Sequence, residues 1–363
     1  MIVEADTLAA MIQAREAHRT ATLALTGVGL TFLGTLAVAF WNGWNTWRIA
    51  RLQGASQEQN TRLEAALAAQ KSEQDARRDY EYEARKRLYK ECEPLLFRLA
   101  EASESAFHRV YSLARTARLG HLGPPGGPSW LDGGYYLSST IYNLLAPAAW
   151  FRLLQERLTG VDLAVDEKIE AQYLLAKRMY ISFTDEFEFA RLDHDLPYEP
   201  FDHDWKTKRI SDPARYWRQG VTLGWLDVAV EALILREKDA PPRCLSFGEF
   251  QKAFEDDVPK HGGEKFGRFL EIFQYFHPRT RPVLWRMLVT QALLHKALYS
   301  MAQSRAATIG KVLSVGTVMV TELENFDWRP PEERNPESFK QVSEPFRVAQ
   351  RYLTTHLPQS IAF

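Results

Sequence analysis

The chain has 363 residues, with 45 Lys or Arg against 46 Asp or Glu and a formal net charge of −1. That balance excludes a globally basic nucleic-acid coat and leaves room only for a local polyanion site. With 45% hydrophobic and 12% aromatic residues, the chain carries enough apolar material for one large core or two smaller ones, which excludes wholesale disorder.

A tail, residues 1–19, precedes a stretch from Thr20 to Trp47 that holds no charged residue. A helix needs roughly 20 apolar residues to cross a hydrocarbon core, so 20–47 is expected to be a single transmembrane helix. In helical projection Thr20, Ala24, Gly27, Thr31, Gly34, Thr35, Val38, Asn42 and Asn45 share one side, and Leu25, Phe32, Leu33, Leu36 and Phe40 the other. Small and hydroxyl-bearing residues let helices approach closely in lipid. Gly27, Thr31, Gly34, Thr35, Asn42 and Asn45 are therefore the expected pore or oligomer face of a homo-oligomer, with the bulky side toward membrane lipid. Trp41, Trp44 and Trp47 mark the downstream interface, where indoles favour the headgroup layer. Ala37-Val38-Ala39 has the small-x-small form of a signal-peptide cleavage site. The apolar run is longer than the roughly 7–15 residues of a signal core, however, and Glu4, Asp6 and Glu16 lie before it, so an uncleaved anchor is expected. Arg48, Arg51 and Arg62 after the span outnumber Arg15 and Arg19 before it, and cysteine is confined to Cys92 and Cys244. Both features favour an inner (cytoplasmic) membrane protein whose C-terminal part lies in the reducing cytoplasm.

Residues 48–85 are expected to form a polar helical stalk, because Arg, Gln, Glu, Ala and Lys dominate it without a proline. Its seam, Ile49, Leu52, Ser56, Gln59, Leu63, Ala66 and Gln70, begins like a coiled coil and turns polar, as suits either pairing in an oligomer or a solvated spacer. Residues 86–363 are expected to form a soluble α-helical sensor domain. Leu88, Cys92, Leu95, Leu99, Ala106, Val110 and Leu113 make its first apolar face, which Pro94 is expected to kink. The Gly/Pro-rich run from His121 to Gly134 reads as a loop. Further helices are expected at about Tyr136–Leu158, Val165–Ala190, Asp212–Glu237, Phe247–Asp256, Lys265–Phe276, Pro282–Glu324 and Glu337–Leu357. Ser246 with Glu249 has capping-box spacing, and Pro282 suits a first turn. Ile309–Val320 holds Lys311 and is short of membrane length, so it reads as a core helix. The class is all-α.

Asp193-His194-Asp195 and Asp202-His203-Asp204 repeat one tripeptide. Carboxylates and imidazoles can hold a divalent metal, but prolines separate the repeats and neither has the i, i+4 spacing of a helical zinc motif, so no metal site is assigned. Just downstream, Lys206, Lys208, Arg209, Arg215 and Arg218 interleave with Trp205, Tyr216 and Trp217. Cations neutralise phosphates and aromatic faces stack on bases, so these eight residues are the expected ligand site, for a nucleotide or short oligonucleotide. The alternative is an ordinary helix interface in which the stems pack and the charged heads stay wet. Arg115 and His121 fall within the loose Arg-x(4–6)-His spacing of helical RNases of the HEPN type, where His serves as acid or base and Arg steadies the cyclising phosphate. Thr116-Ala117 stands where that family often has a polar residue after the Arg, and the pair runs into the loop. His108, His277 and His295 read as interior or surface helix residues. No phosphate-cradling loop, nucleophile elbow or CxxC pair is present, so no catalytic residue and no cofactor are expected.

In layout, with an N-terminal span, a polar stalk and a cytosolic helical domain, the chain resembles single-pass membrane effectors of bacterial anti-phage defence systems. That resemblance implies a gated, ion-permeable pore regulated by a nucleotide read in the soluble domain, and it transfers no residue. The alternatives are a membrane-tethered HEPN-like or metal-dependent nuclease, and a non-catalytic anchored scaffold that binds a partner protein.

Overall fold

In the computed structural model the described residues are 3–123, 131, 133–159, 162–260, 263–303, 326–333, 339–358 and 361, without the side chains of 3–9, 26, 28–30, 258–260, 302–303, 331 and 339–343. They are 77% helical and 1% extended, so the chain is all-α. It divides into two units, Met1–Tyr80 and Glu81–Phe363.

Helix α1, Val3–Arg118, contributes residues to both units. Within the first unit its apolar side chains are bare: Leu23, Leu25 and Phe40 are 70–74% exposed, and Trp41, Trp44 and Trp47 more than half exposed. The threonine hydroxyls turn back onto their own helix, Thr31 donating to the Gly27 carbonyl at 2.8 Å and Thr35 to the Thr31 carbonyl at 2.9 Å. Such bonds satisfy a hydroxyl without a partner helix, so what this side can offer a neighbour is small size and lone pairs rather than protons. Among the described residues no helix is long and apolar enough to cross a membrane; the side chains of 26 and 28–30 fall inside the uncharged run and outside that description.

In the second unit α1 acquires a buried face. Leu88, Cys92, Leu99, Ala106, Val110 and Leu113 are at most 1% exposed, on the expected 3.6-residue period. Pro94 lies on the exposed side and does not end the helix. Helices α2 (Gly134–Arg157), α3 (Glu167–Ser182), α4 (Glu186–Arg191), α5 (Trp205–Ser211), α6 (Pro213–Tyr216) and α7 (Leu223–Ala232) follow. A two-residue antiparallel pair comes next, β1 (Ile234–Leu235) with β2 (Arg243–Cys244), in the register Ile234 to Cys244. Helices α8 (Phe247–Lys260), α9 (Gly267–Phe273), α10 (Pro282–Gln303) and α11 (Phe339–His356) complete the set. Helix α10 packs against α3, α4 and α11, and α2 against α3, α7, α8 and α9, around one apolar cluster. Both cysteines are free and buried.

Ser246 and Glu249 form the expected capping box: the Ser246 N–H and hydroxyl each donate to Glu249 Oε2 at 2.8 Å, and the Glu249 N–H approaches Ser246 Oγ at 3.4 Å. Arg243 grips the same carboxylate with both guanidinium arms, at 2.7 and 2.8 Å, and this fork holds Glu249 well below the usual carboxylate range.

Two expected helices are broken. The one at Val165–Ala190 becomes a 3-10 turn, α3 and α4, separated where the Thr184 hydroxyl bonds the Ile181 carbonyl and the Asp185 carboxylate takes the Tyr352 hydroxyl; short polar side chains compete there with the helical ladder. The one at Asp212–Glu237 becomes α6, an extended stretch, α7 and β1. Asp212 caps α6 through a bond from the Arg215 N–H at 3.2 Å, and Pro241 and Pro242 stand in the connection between the two strands. The expected helix at Pro282–Glu324 runs to Gln303, and Ile309–Val320 lies outside the described residues, as does most of the expected loop at His121–Gly134.

Candidate functional site

The eight basic and aromatic residues expected to hold a ligand do lie together, but on two short helices and an extended segment rather than on one helix face. Asp202 opens the module by accepting the Asp204 N–H at 2.9 Å and the Lys208 ammonium at 2.8 Å. Glu199 takes Arg215 at 2.5 Å. Arg218 approaches Glu186 at 3.3 Å as an ion pair, without the alignment of a hydrogen bond. The acidic first half of the segment therefore serves part of the basic second half, Asp202 facing Lys208 and Glu199 facing Arg215, while Arg218 faces a carboxylate from α4.

The remaining cations stack on rings. Arg209 lies 5.1 Å from the Trp205 centroid and 4.9 Å from that of Trp217, and Lys206 lies 6.0 Å from Trp205. Lys208 and Arg215 also flank Tyr216, at 5.3 and 5.0 Å, and Arg218 covers Phe201 at 5.1 Å. The Trp217 indole N–H donates to the Glu271 carbonyl at 3.2 Å, and the Tyr275 ring meets it edge-on at 6.4 Å.

Three residues absent from the sequence expectation complete this region. Arg281, 1% exposed, sits 4.0 Å from the Trp217 centroid and donates to the Thr280 and Gln274 carbonyls at 3.2 and 3.3 Å. Burial pulls its pKa down to about 9, which leaves it charged at neutral pH. Gln219, fully buried, accepts the first free N–H groups of α10, from Val283 at 2.8 Å and Leu284 at 3.0 Å, and donates to the Ala214 carbonyl at 2.7 Å. Glu186 accepts the Tyr198 hydroxyl and the Gly220 N–H, both at 2.6 Å; burial, then the adjacent carboxylate, push the Tyr198 phenol far above its ordinary range. Nothing in local spacing marks these residues, because each is defined by a partner remote in sequence.

Gly220 is where the extended segment meets α4. A Cβ there would lie 2.8 Å from Glu186 Cβ and 3.0 Å from the Phe183 carbonyl oxygen. Gly220→Ala is expected to destabilise the protein by about 1–3 kcal/mol, as overpacking does; the check is the urea midpoint of the full-length variant, and an unchanged midpoint would mean the segment can move aside.

The first Asp-His-Asp repeat is tied to α10 and α11. Asp193 adopts left-handed backbone (φ 62°) just beyond α4, and its carboxylate meets Arg347 at 2.9 Å and Arg351 at 3.5 Å. The His194 carbonyl accepts from Arg286 at 2.8 Å. Among the described residues no three His, Cys, Asp or Glu side chains gather as a metal site. Arg115 in the last turn of α1 and His121 in the turn beyond it are both exposed. His277 and His295 are interior, 8% and 0% exposed, whereas His108 is exposed. In the first unit the described side chains of the expected pore face, Gly27, Thr31, Gly34, Thr35 and Asn42, are exposed and Asn45 is half-buried. Thr31, Gly34, Thr35 and Asn42 line a shallow groove with Val38 and Ala39.

No protein-family model, curated protein or solved structure matches this chain.

Proposed function

We propose that the chain is a homo-oligomeric membrane effector, of the kind that acts in anti-phage defence, with a gated ion-permeable pore governed by a ligand at the helical domain. The observation that carries this reading is the bare apolar surface from Leu23 to Trp47, which needs lipid or a second copy to cover it. Its two sides differ in kind: Leu25, Phe32, Leu33, Leu36 and Phe40 suit acyl chains, while the groove at Thr31, Gly34, Thr35 and Asn42 suits a pore axis. The aromatic ladder at the downstream end supports membrane placement. Phe40 stacks on Trp44 at 6.5 Å, Trp44 meets Trp47 at 5.6 Å, and Arg51 covers Trp47 at 5.3 Å, as a cation does at a headgroup layer. The proposed ligand-sensing part is the module from Trp205 to Arg218. A ligand gates only through different affinities for the closed and open arrangements.

The test is ionic current across planar bilayers holding the full-length protein. Thr31→Leu with Thr35→Leu is expected to bring current to baseline while the helical circular-dichroism signal stays; unchanged current would remove the pore face. RNA cleavage by the same preparation, lost on His121→Ala, would replace the effector with a tethered nuclease.

A further inference from the structure

We infer that Arg209 and Arg281, both stacked on the Trp217 ring, form a binding site for a phosphate-type dianion that Arg209 meets directly and the buried Arg281 attracts through its charge. The inference rests on the reading of the Trp205–Arg218 module as the sensing part, and it names the ligand chemistry there.

The charge inventory leads to it. Lys208, Arg215 and Arg218 are matched one to one by Asp202, Glu199 and Glu186, which leaves Lys206, Arg209 and Arg281. None of those three forms an ion pair with a carboxylate of the described residues, and Glu271, near Arg281, is engaged by Arg268 at 2.9 Å. Arg281 is the extreme case. It is 1% exposed, and among the described residues its hydrogen bonds go to two carbonyls alone and its Nε is buried with no partner. A buried cation without a counter-charge is destabilising, and an anion brought near it offsets that cost. Arg209 adds a second charge over the same indole, and its repulsion contributes to the lowered pKa of Arg281. Asp204 and Asp212 also lie in the module, but they act on Lys208 and Arg215; what Arg209 and Arg281 lack is a carboxylate of their own.

The rings point the same way. Trp205 already carries Arg209 and Lys206, and Trp217 carries Arg209 and Arg281. A base would have to share each indole with cations already on it, whereas an oxyanion adds to the cluster without displacing anything. A guanidinium fork matches two phosphate oxygens at once, which a halide cannot offer. Access is open on the α5 side, where Lys206 is exposed, Arg209 is half-buried and Ile210 is 81% exposed.

The full-length protein in detergent, titrated calorimetrically in chloride buffer with inorganic pyrophosphate, ADP and adenosine, tests this. Pyrophosphate and ADP are expected to bind with affinities within about tenfold of each other, and adenosine not to bind. Arg209→Gln is expected to weaken both phosphate ligands by about tenfold or more. Arg243→Gln, which alters an arginine already matched by Glu249, leaves both unchanged. Arg281→Met is read by melting temperature: it melts higher than wild type without anion and gains nothing from pyrophosphate, which raises the melting temperature of wild type. Adenosine binding as tightly as ADP, or Arg209→Gln binding pyrophosphate like wild type, would overturn the site. Current recorded in parallel separates the two readings. Pyrophosphate binding lost in Arg209→Gln, with a current indifferent to the ligand, keeps the anion site and removes the sensing role. A current that answers to ADP in wild type and Arg209→Gln alike removes the anion site and keeps the effector.

Discussion

Arg286→Met is expected to destabilise the protein by about 3–5 kcal/mol, the usual cost of leaving one member of a buried ion pair alone. Arg286 is 1% exposed, and one arm donates to the carbonyls of Phe189 at 2.5 Å and of Ala190 and Leu192 at 3.2 Å; the other reaches the His194 carbonyl at 2.8 Å and the Glu344 carboxylate. Those carbonyls lie at and just beyond the end of α4, at the negative end of its dipole; those of Ala190 and Leu192 also accept the N–H groups of Leu196 and His194, both at 2.8 Å. The guanidinium adds a charged donor to all of them at once and ties α10 to α4 and α11. Methionine keeps the length of the stem and none of the bonds. Adding Glu344→Leu to Arg286→Met is expected to recover part of the loss, since the stranded carboxylate goes while the carbonyls still lack the charged donor. Urea denaturation of both variants decides it; a single variant within 1 kcal/mol of wild type, roughly the scale of an ordinary surface substitution, would show that water replaces the arginine.

Acid is expected to unfold the protein through its interior histidines. Burial pushes His295 down to about 3 and His277 to about 4, against an ordinary value of 6.5. Because the folded pKa lies below the unfolded one, the unfolded chain takes up the proton first as pH falls. Stability from these two groups is therefore complete above about pH 6.5 and is lost progressively down to about 4 for His277 and about 3 for His295. At about 1.4 kcal/mol per pH unit the combined loss is several kcal/mol. The two differ in what they hold. His277 Nδ1 accepts the Arg279 N–H at 3.1 Å, and its ring faces Trp328 edge-on at 5.2 Å. Both ring nitrogens of His295 are buried without a hydrogen-bond partner among the described residues, so the neutral ring is itself a cost to the fold. His295→Leu is expected to raise the denaturation midpoint at pH 7 and to flatten the acid limb between pH 6.5 and 3. A limb as steep as that of wild type would assign the acid sensitivity to other groups.

The elements legible in the sequence were those set by local rules. Apolar residues at a 3.6-residue period located the second-unit part of α1, the Ser246/Glu249 box opened α8, and Pro282 began α10. The breaks at 183–185 and 217–222 were not legible, because distant partners make them: Tyr352 for Asp185, and the N-terminus of α10 for Gln219. The cluster of basic and aromatic residues was visible, yet its charge pairing was not, since Glu186 and Arg281 enter from other elements. One signal was there to be read. In the apolar run of α10 the polar residues Arg286, the pair Thr290 and Gln291, and His295 recur about one turn apart, and all four are buried. A polar stripe on a helix that is otherwise apolar all round marks an interior network rather than a wet face.

Gln219 binds the two N–H groups that open α10, so the stretch around Gly220 reaches its final bonding only once residues 283 and 284 exist. α11, which supplies Glu344 to Arg286 and Tyr352 to Asp185, is made later still. Residues 20–47 are made long before either, so for much of its synthesis the second unit lacks the residues that bond Gln219, Asp185 and Arg286. Domains fold as units during translation, and here the second unit cannot close until its last helix has been made.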